Sequence, residues 1–140
     1  MYKFSLLCFL FIMVGCSDNM PEQEPCGESI IVDADEYNDL TDQGLVFTNP
    51  QIDGDCLTVM VGFSGCDDTP EFDLITDGSI AESLPVQMFF KGRSDKNQAC
   101  LAFFTKEVQY DLAPVRDLLN SIDKAILVFP GIDSRITWEL

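Results

Sequence analysis

A chain of 140 residues holding 24 Asp and Glu against 8 Lys and Arg, with no histidine, carries a formal charge of −16. A surface that acidic repels nucleic-acid phosphates and anionic lipid headgroups, which excludes both as partners held by charge. The missing histidine removes the usual general base for a serine or cysteine nucleophile.

Residues 1–15 read as a signal peptide. Lys3 supplies a cation, and Phe4 to Val14 is an 11-residue run that is apolar apart from Ser5. That is the size of a signal-peptide core, whereas a membrane-spanning helix needs about 20 residues. Met13-Val14-Gly15-Cys16 resembles the bacterial lipobox. The resemblance implies cleavage before Cys16, a lipid on its sulfur, and an acyl chain such as palmitate on the new amine. Several acyl chains, at ~0.8 kcal/mol per buried methylene, make a firm anchor.

Residues 16–28 read as a tether. Ser17 to Glu28 is SDNMPEQEPCGE, with two prolines, one glycine and four acids. It has too little apolar surface to offset its ordering entropy and stays extended. Asp18, Glu22 and Glu24 resemble the acidic signal with which some Gram-negative bacteria display lipoproteins outside the cell. The expected location is the outer membrane of a Gram-negative bacterium, lipid-anchored and facing either the periplasm or the exterior. Loss of Lys3 with the signal leaves 7 cations against 24 acids, a charge of −17.

Residues 29–140 are long enough for one core and too short for two. Ser29 to Val32 and Leu45 to Thr48 are short strand candidates. In LTVMVGF, Leu57, Val59, Val61 and Phe63 point one way while Thr58, Met60 and Gly62 point the other. Glu71 to Ile75 follows, and then Val86, Met88 and Phe90 alternate with Gln87, Phe89 and Lys91. Leu101 and Phe103 face away from Ala102 and Phe104, so this strand is apolar on both faces and expected at a sheet centre. Phe89 and Phe104 are expected in the core. Asp111 caps a predicted helix over Val115 to Ser121, with Pro114 near its start. Ala125 to Phe129 and the alternating Ile136, Trp138 and Leu140 complete the set. Turn signals at Asp53-Gly54, Ser64-Gly65, Asp77-Gly78, Gly92 to Asn97 and Pro130 to Ser134 separate these runs. The pattern predicts an all-β fold, an antiparallel immunoglobulin-like β-sandwich with one short helix.

Once Cys8 leaves with the signal and Cys16 is lipidated, Cys26, Cys56, Cys66 and Cys100 remain to form disulfides in an oxidising compartment. If Leu57 to Phe63 is one strand, Cys56 and Cys66 flank it ~30 Å apart at ~3.3 Å per residue. A disulfide spans only about 7 Å between Cα atoms, so that pairing is excluded. Cys66–Cys100 with Cys26–Cys56 follows if the strands beside Cys66 and Cys100 run antiparallel. Cys56–Cys100 with Cys26–Cys66 follows if they run parallel. No CxxC occurs, and no metal site is assigned to the cysteines.

The stretches IDGDCLTVMVGFSGC, EFDL, ESLPV, KNQACLAFF and VQYDLAPV resemble a family of small, functionally uncharacterised bacterial lipoproteins, over roughly Phe47 to Val115. The resemblance implies an envelope lipoprotein and no activity. Members of that family often carry a histidine after the SGC cysteine and another before the AC cysteine. Here those stretches read CDDTPEFDL and KGRSDKNQAC. No histidine-dependent or metal-dependent role carries over.

Other chemistry is thin. Ser64 in GFSGC lacks the last glycine of a G-x-S-x-G nucleophile elbow and reads as a turn. DADEYNDLTDQG starts like a calcium loop, but Asn38 replaces the required glycine and Gly44 the closing glutamate. A looser calcium cage from Asp33, Asp35 and Asp39 is the alternative reading, with Asp67 to Asp73 as a second acidic stretch. Asp53, Asp55, Asp67 and Asp68 suit turns. The sequence therefore points to a non-enzymatic, membrane-anchored lipoprotein with no cofactor. It would bind an envelope protein or glycan or serve the envelope structurally.

Overall fold

The computed structural model describes residues 25–96, 100–131 and 134–140. The signal peptide, Cys16 and tether residues 17–24 lie outside the described residues. The chain runs β1 (Glu28–Ser29), β2 (Ile31–Val32), α1 (Ala34–Asp39), β3 (Val46–Asp53), β4 (Cys56–Gly65), β5 (Phe72–Thr76), β6 (Val86–Phe89) and β7 (Lys91–Ser94). It continues as β8 (Ala102–Asp111), α2 (Ala113–Arg116), a 3-10 turn (Asp117–Leu119), β9 (Lys124–Val128) and β10 (Arg135–Glu139).

The strands form three open sheets, ordered β1-β8-β4-β3, β10-β9-β6 and β2-β5-β7. Each sheet is mixed. The pairs β1–β8, β2–β5 and β6–β9 are parallel, and the other pairs are antiparallel. The fold is mostly β, as expected, but its strands pair in three mixed sheets where antiparallel pairing was expected. The reason lies in two short runs that each read as one strand and in fact serve two sheets. Ile30 separates β1 from β2, and Phe90 separates β6 from β7. Each sits at a corner with its side chain buried, 3% and 4% exposed. The ladder continues through both, since Ile30 N donates to Asp111 O at 3.4 Å and Phe90 N donates to Val128 O at 2.9 Å. Strands that pass from one sheet to the next at such a bend are how orthogonal packings turn their corners.

A third seam joins β3 to the end of β9. Phe47 N donates to Pro130 O at 2.8 Å, and the Ser134 hydroxyl donates to Phe47 O. The three sheets enclose one core that includes Phe47, Leu57, Leu74, Met88, Leu127 and Trp138. Trp138 satisfies its indole N–H on Gly54 O at 3.1 Å, with the Arg116 guanidinium 4.9 Å over its ring. The β3–β4 hairpin pairs Asp53 with Cys56 and turns at Gly54, whose φ of 60° suits glycine.

Several local expectations change. Ser64 and Gly65 are the last residues of β4, paired with Phe103 and Ala102, so the turn begins one residue later than the glycine suggested. The helix starts before Val115, at Ala113, whose N–H donates to Asp111 Oδ1 at 3.0 Å, and it tightens to a 3-10 turn ending at Leu119. A second helix, α1, occupies the acidic run after Asp33. Phe89 is 40% exposed rather than core, because β6 lies at a sheet edge. Phe104 is half-buried and stacks on Phe63 with centroids 5.7 Å apart.

Candidate binding face

The longest ladder in the molecule, β4 against β8, is antiparallel from Cys56↔Asp111 to Gly65↔Ala102. That direction brings Cys66 and Cys100 together beyond one end and leaves Cys56 at the other. The bridges are accordingly Cys66–Cys100, with Cα atoms 4.9 Å apart, and Cys26–Cys56, at 5.7 Å. The second one fastens the start of the domain to β4. At ~3.3 Å per residue the two bridged ends are on the order of 30 Å apart.

Period-two alternation sorts this sheet into faces. Phe47, Leu57, Val59, Val61, Phe63 and Tyr110 point into the core and are buried. The outer face is built from cross-strand rows: Val46–Gly62–Thr105, Thr48–Met60–Glu107 and Gln51–Thr58–Gln109, with Ser64–Phe103 beyond. In those rows Glu107 is the one charged side chain, and the end row of the same face, Asp53–Cys56–Asp111, adds two acids. Gln109 Nε2 donates to Thr58 Oγ1 at 3.3 Å, tying β8 to β4 within one row. Phe103 folds across β4 until its ring tip meets Gly62, where a Cβ would lie 2.7 Å from Cζ. The ring is still 65% exposed, and Leu101 beside it is 97% exposed. The alternation in CLAFF placed Phe103 opposite Phe104 correctly. The strand lies inside its sheet, between β1 and β4, as expected, while its outer face leaves Phe103 exposed.

The acids are arranged differently. Asp33 Oδ1 accepts from Glu36 N at 2.9 Å and caps α1, an Asp-x-x-Glu start that the calcium-loop reading overlooked. Asp67 Oδ1 accepts from Thr69 N at 3.0 Å, and Asp77 Oδ1 from Ser79 N at 2.9 Å, both in local turns. Asp55 Oδ1 accepts from Arg116 Nε at 2.7 Å. Among the described residues no group of three or more His, Cys, Asp or Glu side chains converges as a metal site, and Asp33, Asp35 and Asp39 form none.

A groove of about 510 Å³ beside β1, β5 and β8 is lined by Glu28, Glu71, Asp73 and Lys106, whose Nζ donates to Pro70 O at 2.9 Å. Arg93 Nε donates to Asp73 Oδ2 at 2.9 Å. Even so, burial raises the Asp73 carboxyl above its ordinary range, and neighbouring Glu28, Asp95 and Glu71 add to the shift. Tyr110 donates its hydroxyl to Phe72 O at 2.8 Å, and burial, then Asp73 and Glu28, hold that phenol protonated well above its usual titration. A buried, hydrogen-bonded phenol of this kind is a structural group, without access to a substrate. A more apolar groove of about 530 Å³ lies beside Leu45, Val46, Phe90 and Gly131, at the seam between β3 and the β9 end.

No helix among the described residues is long and apolar enough to cross a membrane. No protein-family model matches the chain, and the comparison with curated proteins found no match. Solved structures resemble it in fold. One is a protein of unknown function, DUF1344, from Bacteroides vulgatus, with a TM-score of 0.52 and 12% identity, covering 81% of this chain and 55% of that one. A putative toxin-related protein from Parabacteroides distasonis has a TM-score of 0.49 and 13% identity, over 81% of this chain and 59% of that one. A NigD-like immunity protein from Bacteroides caccae has a TM-score of 0.49 and 15% identity, over 80% and 58%. This chain therefore spans little more than half the length of the solved chains it resembles. At such identities the likeness to the first is one of fold alone.

Proposed function

We propose that this protein is a non-catalytic lipoprotein of the cell envelope, anchored in the outer membrane through Cys16, that works as a binding module. The observation that carries the reading is the order of its parts. A short apolar leader ends at Met13-Val14-Gly15-Cys16, an acidic stretch follows, and a disulfide-bridged β domain comes next. The disulfides suit an exported protein, because cytosolic thiols are kept reduced. A binding role, rather than catalysis, is supported by what the polar groups do. Asp33 caps a helix, Asp67 holds a turn and Asp55 an ion pair, while the outer sheet face carries an exposed aromatic, Phe103. Calcium binding has no geometric support in Asp33, Asp35 and Asp39.

Cys16→Ala tests the anchor. The variant is expected to lose incorporation of radiolabelled fatty acid and to leave the membrane fraction. Label still incorporated in Cys16→Ala would refute it.

A further inference from the structure

We propose that Cys66–Cys100 is a thiol–disulfide exchange site, opened in the folded protein by a dithiol reductant, whereas Cys26–Cys56 is a purely structural bridge. The two differ first in access. Cys66 and Cys100 are both exposed, and Leu101, next in the chain, is 97% exposed. Cys26 and Cys56 are half-buried. Cys26 Sγ lies 3.6 Å from Tyr110 O, and Gly27 beside it packs so closely on Gln109 that no Cβ fits. An attacking thiolate must reach a sulfur through solvent, so access decides which bridge exchanges without prior opening.

The bridges differ next in what holds their flanks. On one side of Cys66–Cys100 the β4–β8 ladder runs up to the bridge, ending at Gly65↔Ala102. On the other side, Glu71 N donates to Asp95 Oδ1 at 2.8 Å and Asp95 N donates to Glu71 O at 3.1 Å. Lys96 Nζ adds a bond to Thr69 Oγ1 at 2.6 Å. None of these contacts passes through the sulfurs, so the two thiols stay neighbours after the bond between them breaks. Cys26–Cys56 instead secures β1, two residues paired with Tyr110 and Asp111, and opening it loosens the start of the domain.

The chemistry is a two-electron exchange. One thiolate of the reductant attacks a sulfur of the pair, forms a mixed disulfide and releases the other cysteine as a thiolate. The second thiol of the reductant, deprotonated, then displaces the first cysteine and closes its own disulfide. Cys66 and Cys100 thereby gain two electrons and two protons, and the dithiol is oxidised. Asp67 and Asp68 follow Cys66, so an anionic thiol such as glutathione is repelled relative to a neutral dithiol.

The test uses the intact, oxidised protein purified from its native host. It is pulsed with dithiothreitol, a neutral dithiol, and quenched with N-ethylmaleimide, and peptide mass mapping follows each cysteine. Cys66 and Cys100 are expected to label about tenfold faster or more than Cys26 and Cys56, whose exchange waits on local opening. Trp138, a buried indole, should keep its native fluorescence while Cys66 and Cys100 label. Equal rates at the two bridges, or earlier labelling of Cys26 and Cys56, would overturn the proposal. Native Trp138 emission lost in step with labelling of Cys66 and Cys100 would overturn it too, since exchange would then require unfolding.

Discussion

The ring of Phe103 rests its tip on Gly62, so closely that a Cβ at Gly62 would stand 2.7 Å from Phe103 Cζ. The obstructing atom is the far end of an exposed side chain, so the ring can swing outward and spare the backbone. Gly62→Ala is therefore expected to shift the Phe103 ring resonances while changing stability by no more than about 1 kcal/mol. Gly92 makes the opposite case. Its Cβ would meet Phe47 Cε2 at 2.5 Å and Leu45 Cδ1 at 3.0 Å, both in buried side chains. Gly92→Ala should cost about 1–3 kcal/mol as overpacking, and chemical denaturation of both variants checks the contrast.

The bridges should differ in where their loss is felt. Each is expected to contribute about 2–4 kcal/mol, chiefly by restricting the unfolded chain. Cys66–Cys100 closes strands already joined along the whole β4–β8 ladder, whereas Cys26–Cys56 secures β1, a strand of two residues. Replacing Cys26 and Cys56 by serine should speed exchange of the Ile30 amide, which donates to Asp111 O at 3.4 Å. Replacing Cys66 and Cys100 should leave that amide protected. Native-state hydrogen exchange distinguishes the two.

Tyr110 predicts an alkaline loss of stability. Its phenol titrates above the usual 10.0 because of burial, with Asp73 and Glu28 adding to the effect. A raised pKa in the folded state means that the stabilising contribution is complete below about pH 10 and is lost as pH rises beyond it. Tyr110→Phe should start about 1–3 kcal/mol less stable, since Phe72 O loses its donor, and should decline less steeply above pH 10. Tyr37, raised by burial and by Asp77, keeps part of the slope. Urea midpoints measured across the alkaline range would show it.

The long strands were legible in the sequence because one-sided burial leaves strict alternation. Leu57, Val59, Val61 and Phe63 sit inward as read, and the antiparallel relation of their strand to the one after Cys100 sets the cysteine pairing. The sheet count was not legible. Ile30 and Phe90 look like ordinary members of apolar runs, and only the hydrogen bonds on either side reveal that each run bends between sheets. Helix α1 carried a readable signal in Asp33 and Glu36, obscured by its likeness to a calcium loop. The outer face was half legible: its residues were assigned to one side, but a sequence pattern does not tell whether another layer covers them. Phe103 and Phe104 have the same neighbours in type and opposite fates.

The measurement that bears most directly on the account is the intact mass of the protein extracted from membranes of its native host. The expected species begins at Cys16, carries a diacylglyceryl group and an amide-linked acyl chain, and lacks two hydrogens for each of its two disulfides. A soluble species beginning elsewhere, or one with Cys16 unmodified, would contradict it.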